Sequence, residues 1–160
     1  MAIALLRVDD RLVHGQVVEG WLPSLKADLI VVVSDEASAD PIQSALMKMA
    51  MPPSVGLLVL GVVAAAGVLS SPQMSARRAL VLVSGPAVAL ALLKNGVVVD
   101  RVNVGGLHFT IGKVQLGRAL FLDEKDKDAL REIAARGVRL EGRPLPSDPE
   151  EDLVPMLRSA

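Results

Sequence analysis

The feature that most constrains the fold of this sequence is the repeated alternation of short aliphatic runs with segments of helical length. Strands that alternate with helices favour a parallel sheet, because the helix supplies the crossover that each parallel connection needs. We therefore predict an α/β fold with an open, twisted, mainly parallel sheet and helices on both faces. The predicted strands are 3–7, 29–33, 57–60, 79–83, 101–104, 116–122 and 138–143.

Helix boundaries are marked by capping residues and by Pro. Asp40 followed by Pro41 predicts the start of a helix, and an apolar stripe at helical spacing follows it before the helix ends at Pro52. Other helices are predicted over 15–22, 86–95 and 123–136, and a turn at Gly105–Gly106. The stripe consists of Ile42, Ala45, Leu46 and Met49, while Met47, Met49 and Met51 are expected to fill the core or, alternatively, to form an adaptable contact surface.

The composition fits this fold and limits the residue types that can form its core. Hydrophobic residues make up 51% of the chain, yet only 2% of residues are aromatic and Tyr is absent. The core must therefore consist of Val, Leu, Ala, Ile and Met, which suit parallel strands covered by helices. A length of 160 residues is typical of one domain, so we predict a single domain over 1–160.

Charge and cysteine content exclude several classes of function. The chain has 17 basic and 18 acidic residues, so its charge gives no reason to expect nucleic acid as a partner. Because there is no Cys, a covalent nucleophile must be His, Ser, Thr, Lys or a carboxylate. We expect no metal and no cofactor. The N-terminus lacks the pattern of a signal peptide and no apolar stretch is long enough to span a membrane, so we expect a cytoplasmic protein.

One loop concentrates the residues that can carry chemistry. Between Arg7 and Gln16 the chain holds two Arg, two Asp, one His and one Gln, directly after the first predicted strand. Ligands of open α/β sheets bind beyond the carboxyl ends of the strands. His14 is a candidate nucleophile because neutral imidazole is nucleophilic near neutral pH. The alternative is a solvated, salt-bridged turn in which His14 caps a helix.

The neighbours of His14 suit an anion such as a phosphoryl group. Gly15 adds no side chain that would crowd it, and a helix that begins there directs N–H groups and a positive dipole end toward the anion. Arg11 and Arg7 are the candidates for supplying the guanidinium donors that match phosphate oxygens. Asp9 or Asp10 would accept a hydrogen bond from the imidazole or from an arginine.

The segment RVDDRLVHGQVVEGW, over 7–21, resembles the signature loop of the enzyme IIB components of the mannose/fructose/sorbose family of the bacterial phosphoenolpyruvate-dependent sugar phosphotransferase system. The resemblance continues through 30–52, DRVNVGGLHFTIGK, ALFLDEKD and ARGVRLEGRPLPSD. It implies an open α/β sheet and a phosphoryl group carried on Nδ1 of His14.

The resemblance also implies roles for other residues. Arg11 would bind the phosphoryl group and Asp10 would support the imidazole or the transfer state. Weaker assignments to phosphate binding are Arg7, Gly15 and Gln16. Asp35 and Ser84 match positions that border the same pocket, although each residue type is also common as a helix or turn cap.

The partners implied by the resemblance are an enzyme IIA phosphodonor and a membrane IIC/IID permease with its sugar, at which the protein would be peripherally associated. The alternatives are a regulatory phosphoprotein without transport and a nucleotide-binding domain. The latter is disfavoured because the loop VDDRLVHG is not rich in Gly. His108 is predicted to be an exposed hairpin residue, and Trp21 a core anchor or a docking contact.

Overall fold

A computed structural model of the chain describes residues 3–117 and 120–158. Within these residues, seven strands form one sheet in the order β3-β2-β4-β1-β5-β8-β9, in which only the β8–β9 pair is antiparallel. A separate antiparallel hairpin joins β6 and β7. The predicted α/β architecture is confirmed. The strands are β1 (Ile3–Asp9), β2 (Leu29–Val33), β3 (Gly56–Leu60), β4 (Ala79–Val83), β5 (Arg101–Gly106), β6 (Val114–Leu116), β7 (Leu120–Leu122), β8 (Arg139–Gly142) and β9 (Glu151–Asp152).

The helices begin where the capping residues predict them. The Asp40 carboxylate accepts hydrogen bonds from two backbone N–H groups of the first turn, and Asp123 and Asp126 form a capping box. A π-helical turn, Val17–Trp21, leads into the first α-helix, and a 3₁₀-helix spans Pro72–Ala76. The α-helices are α1 (Leu22–Leu25), α2 (Asp35–Ser38), α3 (Pro41–Met49), α4 (Val62–Leu69), α5 (Pro86–Lys94), α6 (Glu124–Ala135) and α7 (Val154–Arg158).

Alternation along the strands divides the core into two clusters. On one face, Leu6 and Val8 of β1 pack with residues of α4, α5, α6 and α7. On the other face, Leu5 packs with the π-helical turn, α1, α2 and α3, and Trp21 is buried among them as a core anchor. Helices therefore cover both faces of the sheet, as predicted. No helix within the described residues is both long and apolar enough to cross a membrane.

Two predictions about strands and turns are wrong. Gly105 and Gly106 do not turn the chain but continue β5, because each lets a side chain of β1 lie against its backbone. A Cβ at Gly105 would lie 1.9 Å from Cζ of Arg7. The segment 116–122, predicted as a single strand, instead contains the end of β6 and all of β7, which pair as an antiparallel hairpin. Positions 118 and 119 lie outside the described residues.

The apolar stripe of α3 does not face the core. Ile42, Leu46 and Met49 are 74%, 61% and 82% exposed, whereas Met47 is buried. The inward face of α3 carries Met47, which packs in the core cluster, and a Ser44 hydroxyl that donates to the carbonyl oxygen of Ala37 in α2. Periodicity thus identified a face of α3 but not its direction. β3, predicted as buried, is an edge strand and is only partly covered.

Candidate functional site

The loop after β1 is a tight turn fixed by Asp9. The carbonyl oxygen of Asp9 accepts from the N–H of Leu12 at 3.0 Å, and its Oδ1 accepts from the N–H of Arg11 at 3.1 Å. Leu12 has a φ of +58°, in the left-handed region that a non-glycine residue rarely adopts. Its side chain is buried, so packing and the two hydrogen bonds hold this conformation in place.

Asp9 also holds the candidate nucleophile. Its Oδ2 lies 3.0 Å from Nε2 of His14, whose side chain is 15% exposed while that of Asp9 is fully buried. Burial alone would raise the pKa of Asp9. Hydrogen bonds from His14 and from the backbone and side chain of Arg11, together with the charge of Arg7, outweigh burial and lower this pKa to about 2.

The protonation of the His14 ring follows from this contact. An ionised carboxylate only accepts hydrogen bonds, so Nε2 must carry the proton that it shares with Asp9. In the neutral ring the lone pair is then on Nδ1. The geometry therefore leaves Nδ1 as the ring nitrogen of His14 that carries a lone pair.

Arg7 lies behind Asp9 and is fully buried. Its guanidinium donates to Asp9 at 3.2 Å, to the side-chain oxygen of Asn103, and to the carbonyl oxygens of Arg143 and Pro144 at 2.9 and 3.0 Å. Burial lowers the pKa of Arg7, and the charge of Asp9 opposes that effect. Both terminal nitrogens of Arg7 are engaged inside the protein and the whole side chain is buried, so the prediction that it binds phosphate is not supported by the geometry.

The side chain of Trp21 completes this enclosure. Cζ of Arg7 lies 4.9 Å from the centre of the Trp21 ring, a distance typical of cation–π contacts. The indole N–H donates to the carbonyl oxygen of Pro144 at 3.0 Å. Trp21 therefore packs beneath the site as a core residue and not as an exposed docking contact.

A row of polar side chains extends from Arg7 across the sheet and was missed by sequence reasoning. Arg7, Asn103 and Glu141 are partners in register on three adjacent parallel strands. Nδ2 of Asn103 donates to Glu141 at 3.1 Å, and Arg101 pairs with the same carboxylate at 3.2 Å. Polar residues at alternate positions of otherwise apolar strands were the available signal, since such positions share one face of a sheet.

Arg11 also contacts Asp9, and its side chain is 39% exposed. Its Nε donates to Asp9 at 3.3 Å and its Nη2 to the side-chain oxygen of Gln16 at 3.0 Å. Within 3–117 and 120–158, no acceptor is bound to its Nη1. Gln16 thus orients Arg11, while a Cβ at Gly15 would meet no atom within 4 Å, so the space there is open.

Asp10 does not contact His14. Its carboxylate instead accepts from the backbone N–H of His108 at 2.7 Å and lies 2.6 Å from Nδ1 of the same residue. The contact with the imidazole of His14 that we expected of Asp10 belongs to Asp9, because successive residues at the end of a strand point in opposite directions.

Asp35 and Ser84 border a cavity of about 350 Å³ that also touches Asp10 and Leu12. The Asp35 carboxylate accepts from the N–H of Val62 at 3.0 Å, so it caps the start of α4 in addition to lining the cavity. His14 is not among the lining residues. The structure thus places both predicted border residues beside the loop of His14 but not in contact with the imidazole. No group of three or more potential metal ligands occurs among the residues described by the structure.

Comparisons with known proteins agree on one family. The family model for the PTS system sorbose subfamily IIB component matches residues 3–160. The chain is 37% identical over 157 residues to the PTS system mannose-specific EIIAB component of Escherichia coli (strain K12), covering 98% of this chain but about half (49%) of that protein. It is 37% identical over 154 residues to the PTS system sorbose-specific EIIB component of Lacticaseibacillus casei, covering 96% of this chain and 94% of the relative.

A solved structure extends the agreement to the fold. The IIBSor domain of the sorbose permease from Klebsiella pneumoniae superposes with a TM-score of 0.94 at 32% sequence identity, over 100% of this chain and 98% of that one. The match covers the sheet, both helical layers and the loop after β1. The chain belongs to the family of PTS system sorbose subfamily IIB components.

Proposed function

We propose that this chain is a phosphoryl carrier in which Nδ1 of His14 accepts a phosphoryl group from an enzyme IIA phosphodonor and passes it to a sugar. The observation that carries the proposal is the contact between Nε2 of His14 and the buried, ionised Asp9. This contact fixes the ring and leaves Nδ1 as the nucleophile. Membership of the sugar phosphotransferase family supports the same reading.

In the first step the lone pair on Nδ1 of His14 attacks the phosphorus atom, and the N–P bond of the donor phosphohistidine breaks. The electron pair of that bond stays on the donor ring. His14 becomes a phosphorylated imidazolium whose Nε2–H is stabilised by Asp9. In the second step a sugar hydroxyl oxygen attacks the phosphorus, the electron pair returns to Nδ1 and the hydroxyl proton is released.

The cradle for the transferred group would consist of Arg11 and of the first N–H groups of the helix. The free Nη1 of Arg11 suits a phosphate oxygen, and the backbone N–H groups of Gly15 and Gln16 stand at the positive end of the helix dipole. Catalysis would then rest on positioning and electrostatic stabilisation, as in other phosphoryl transfers.

The partners of this carrier would be an enzyme IIA protein on one side and a membrane IIC/IID permease with its sugar on the other. We place the protein in the cytoplasm, peripherally associated with that permease. Docking would be transient, because a carrier must release each partner in turn.

The test is phosphoryl transfer from phosphoenolpyruvate through the general carrier proteins and the cognate enzyme IIA, read by intact mass. The wild type and His108→Ala should each gain one acid-labile phosphoryl group, and His14→Ala should gain none. Absence of phosphate on the wild type, with a donor that is itself phosphorylated, would contradict the proposal.

A further inference from the structure

The corner of the loop after β1 is fastened to the end of β5 by Asp10. The N–H of Asp10 donates to the carbonyl oxygen of Gly106 at 3.0 Å. The Asp10 carboxylate accepts from the N–H of His108 at 2.7 Å and from its Nδ1 at 2.6 Å. Both carboxylate oxygens are therefore used by a single residue that is 98 positions away in the sequence.

Asp10 occupies the first corner of the turn that carries the site. The turn runs from Asp9, whose carbonyl accepts from Leu12, and it includes the left-handed Leu12. A non-glycine backbone in this region is strained and persists only where surrounding contacts enforce it. The hydrogen bonds between Asp10 and His108 are contacts of that kind, on the side of the turn that faces solvent.

The same strand end forms a wall of the site itself. A Cβ added to Gly106 would lie 3.2 Å from Oδ1 of Asp9 and 3.4 Å from Nη2 of Arg11. Two residues later the chain reaches His108. The two hydrogen bonds between Asp10 and His108, which we call the clamp, therefore join the turn to the strand that borders Arg11 and Asp9, the partner of His14.

We propose that His108 is a positioning residue for phosphoryl transfer: its Nδ1–H holds Asp10, and thereby fixes the turn that aligns Asp9, Arg11 and His14. This inference rests on the proposed carrier function. No bond to the phosphoryl group forms or breaks at His108. Its imidazole acts through Asp10, with Nδ1 as the donor because the carboxylate only accepts.

The position of His108 makes the inference testable without unfolding the protein. The His108 side chain is 58% exposed. Its substitution leaves no cavity in the core, so large effects on stability are not expected. Asn is the matched variant, since its side-chain N–H₂ can donate from about the position of Nδ1, whereas Leu retains bulk and removes the donor.

The experiment measures the rate of phosphoryl transfer from phosphorylated enzyme IIA to the full chain by rapid quench and intact mass. We expect His108→Leu to be about tenfold slower than wild type, since a hydrogen bond to a charged group contributes about this factor. His108→Asn should recover most of the rate. In an Asp10→Ala background, His108→Leu should produce no further loss.

A second readout does not depend on transfer. In protein labelled with ¹⁵N-histidine, long-range ¹H–¹⁵N spectra report which ring nitrogen of His14 carries the proton. His108→Leu should shift the His14 signals away from the Nε2–H form, and His108→Asn should not.

Wild-type rates and unchanged His14 signals in His108→Leu would overturn the inference, as would a His108→Asn variant as slow as His108→Leu. If the wild type accepts no phosphate, the carrier function fails, and the His14 signals alone decide whether the clamp positions the ring.

Discussion

Asp9 and Asp10 are identical neighbours in the sequence, yet they lie in opposite environments. The Asp9 side chain is fully buried and contacts Arg7, Arg11 and His14, whereas the Asp10 side chain is 29% exposed and contacts His108. Asp9 shares the face of β1 that carries Leu5 and Arg7, and Asp10 begins the turn. The alternation of side chains along β1 therefore selects which carboxylate becomes the partner of the imidazole.

The largest effect should follow from removing the charge of the buried carboxylate. We expect Asp9→Asn to slow phosphoryl transfer about 100-fold or more, because the His14 imidazolium loses its counter-charge and the amide can favour the wrong tautomer. Asp10→Asn should slow it by about tenfold at most. Rapid quench with phosphorylated enzyme IIA measures both rates. A larger loss of transfer rate in Asp10→Asn than in Asp9→Asn would contradict the assignment of Asp9 as the partner of His14.

The next largest effect concerns the arginine behind Asp9. Arg7→Leu should lower the free energy of unfolding by about 3 kcal/mol, because it removes the buried cation beside Asp9 and the hydrogen bonds that this cation donates to Asn103 and to two carbonyl oxygens. Arg101→Leu is the matched control. Its side chain is 26% exposed, so its loss should cost about 1 kcal/mol or less. Urea denaturation of the two variants tests the difference, and equal losses would show that burial of Arg7 is not decisive.

The pH dependence of stability tests whether the buried Asp9 is ionised in the folded chain. The pKa of Asp9 is about 2 in the folded chain, against an ordinary value of 3.8, so the unfolded chain binds more protons between these values. The stabilisation by ionised Asp9 is then present above about pH 4 and is lost as the pH falls through about 2, with a size of about 2 kcal/mol. Urea denaturation from pH 2 to 5 should show a steeper loss in wild type than in Asp9→Asn. Parallel curves would contradict the lowered pKa.

The smallest effect concerns two Met residues of α3, one buried and one exposed. Met47→Ala should lower the free energy of unfolding by about 2 kcal/mol, because Met47 is buried. Met49→Ala should change it by less than about 0.5 kcal/mol, since Met49 is 82% exposed. Thermal or urea unfolding measures both values. A comparable loss at Met49 would mean that the exposed stripe of α3 packs against another surface in solution.

Much of the fold could be predicted because local signals and tertiary structure agree. Buried parallel strands are continuous aliphatic runs, so β2 and β4 were located to the residue. The starts of α3 and α6 follow from capping by Asp40 and Asp123. Predictions failed where the outcome depends on distant contacts. Gly105–Gly106 belong to a strand because Arg7 and Asp9 of β1 lie against them, and α3 turns Met47 and Ser44 inward through contacts with distant elements.

In the candidate site, too, some features could be predicted from local sequence and others depend on distant contacts. The loop, His14 and Arg11 follow from the density of polar residues after β1 and from the family resemblance. The choice between Asp9 and Asp10, the burial of Arg7 and the contact of Asp10 with His108 do not, because they depend on strand register and on a partner 98 positions away. Neither the strand register nor the distant partner can be predicted from neighbouring residues.

The decisive measurement for the proposed carrier is to identify which ring nitrogen becomes phosphorylated. Protein labelled with ¹⁵N-histidine would be phosphorylated through enzyme IIA, and the ¹⁵N–³¹P coupling and ring-nitrogen shifts recorded. The geometry at Asp9 predicts phosphate on Nδ1 of His14, with Nε2 protonated. Phosphate on Nε2 of His14, or on His108, would contradict it.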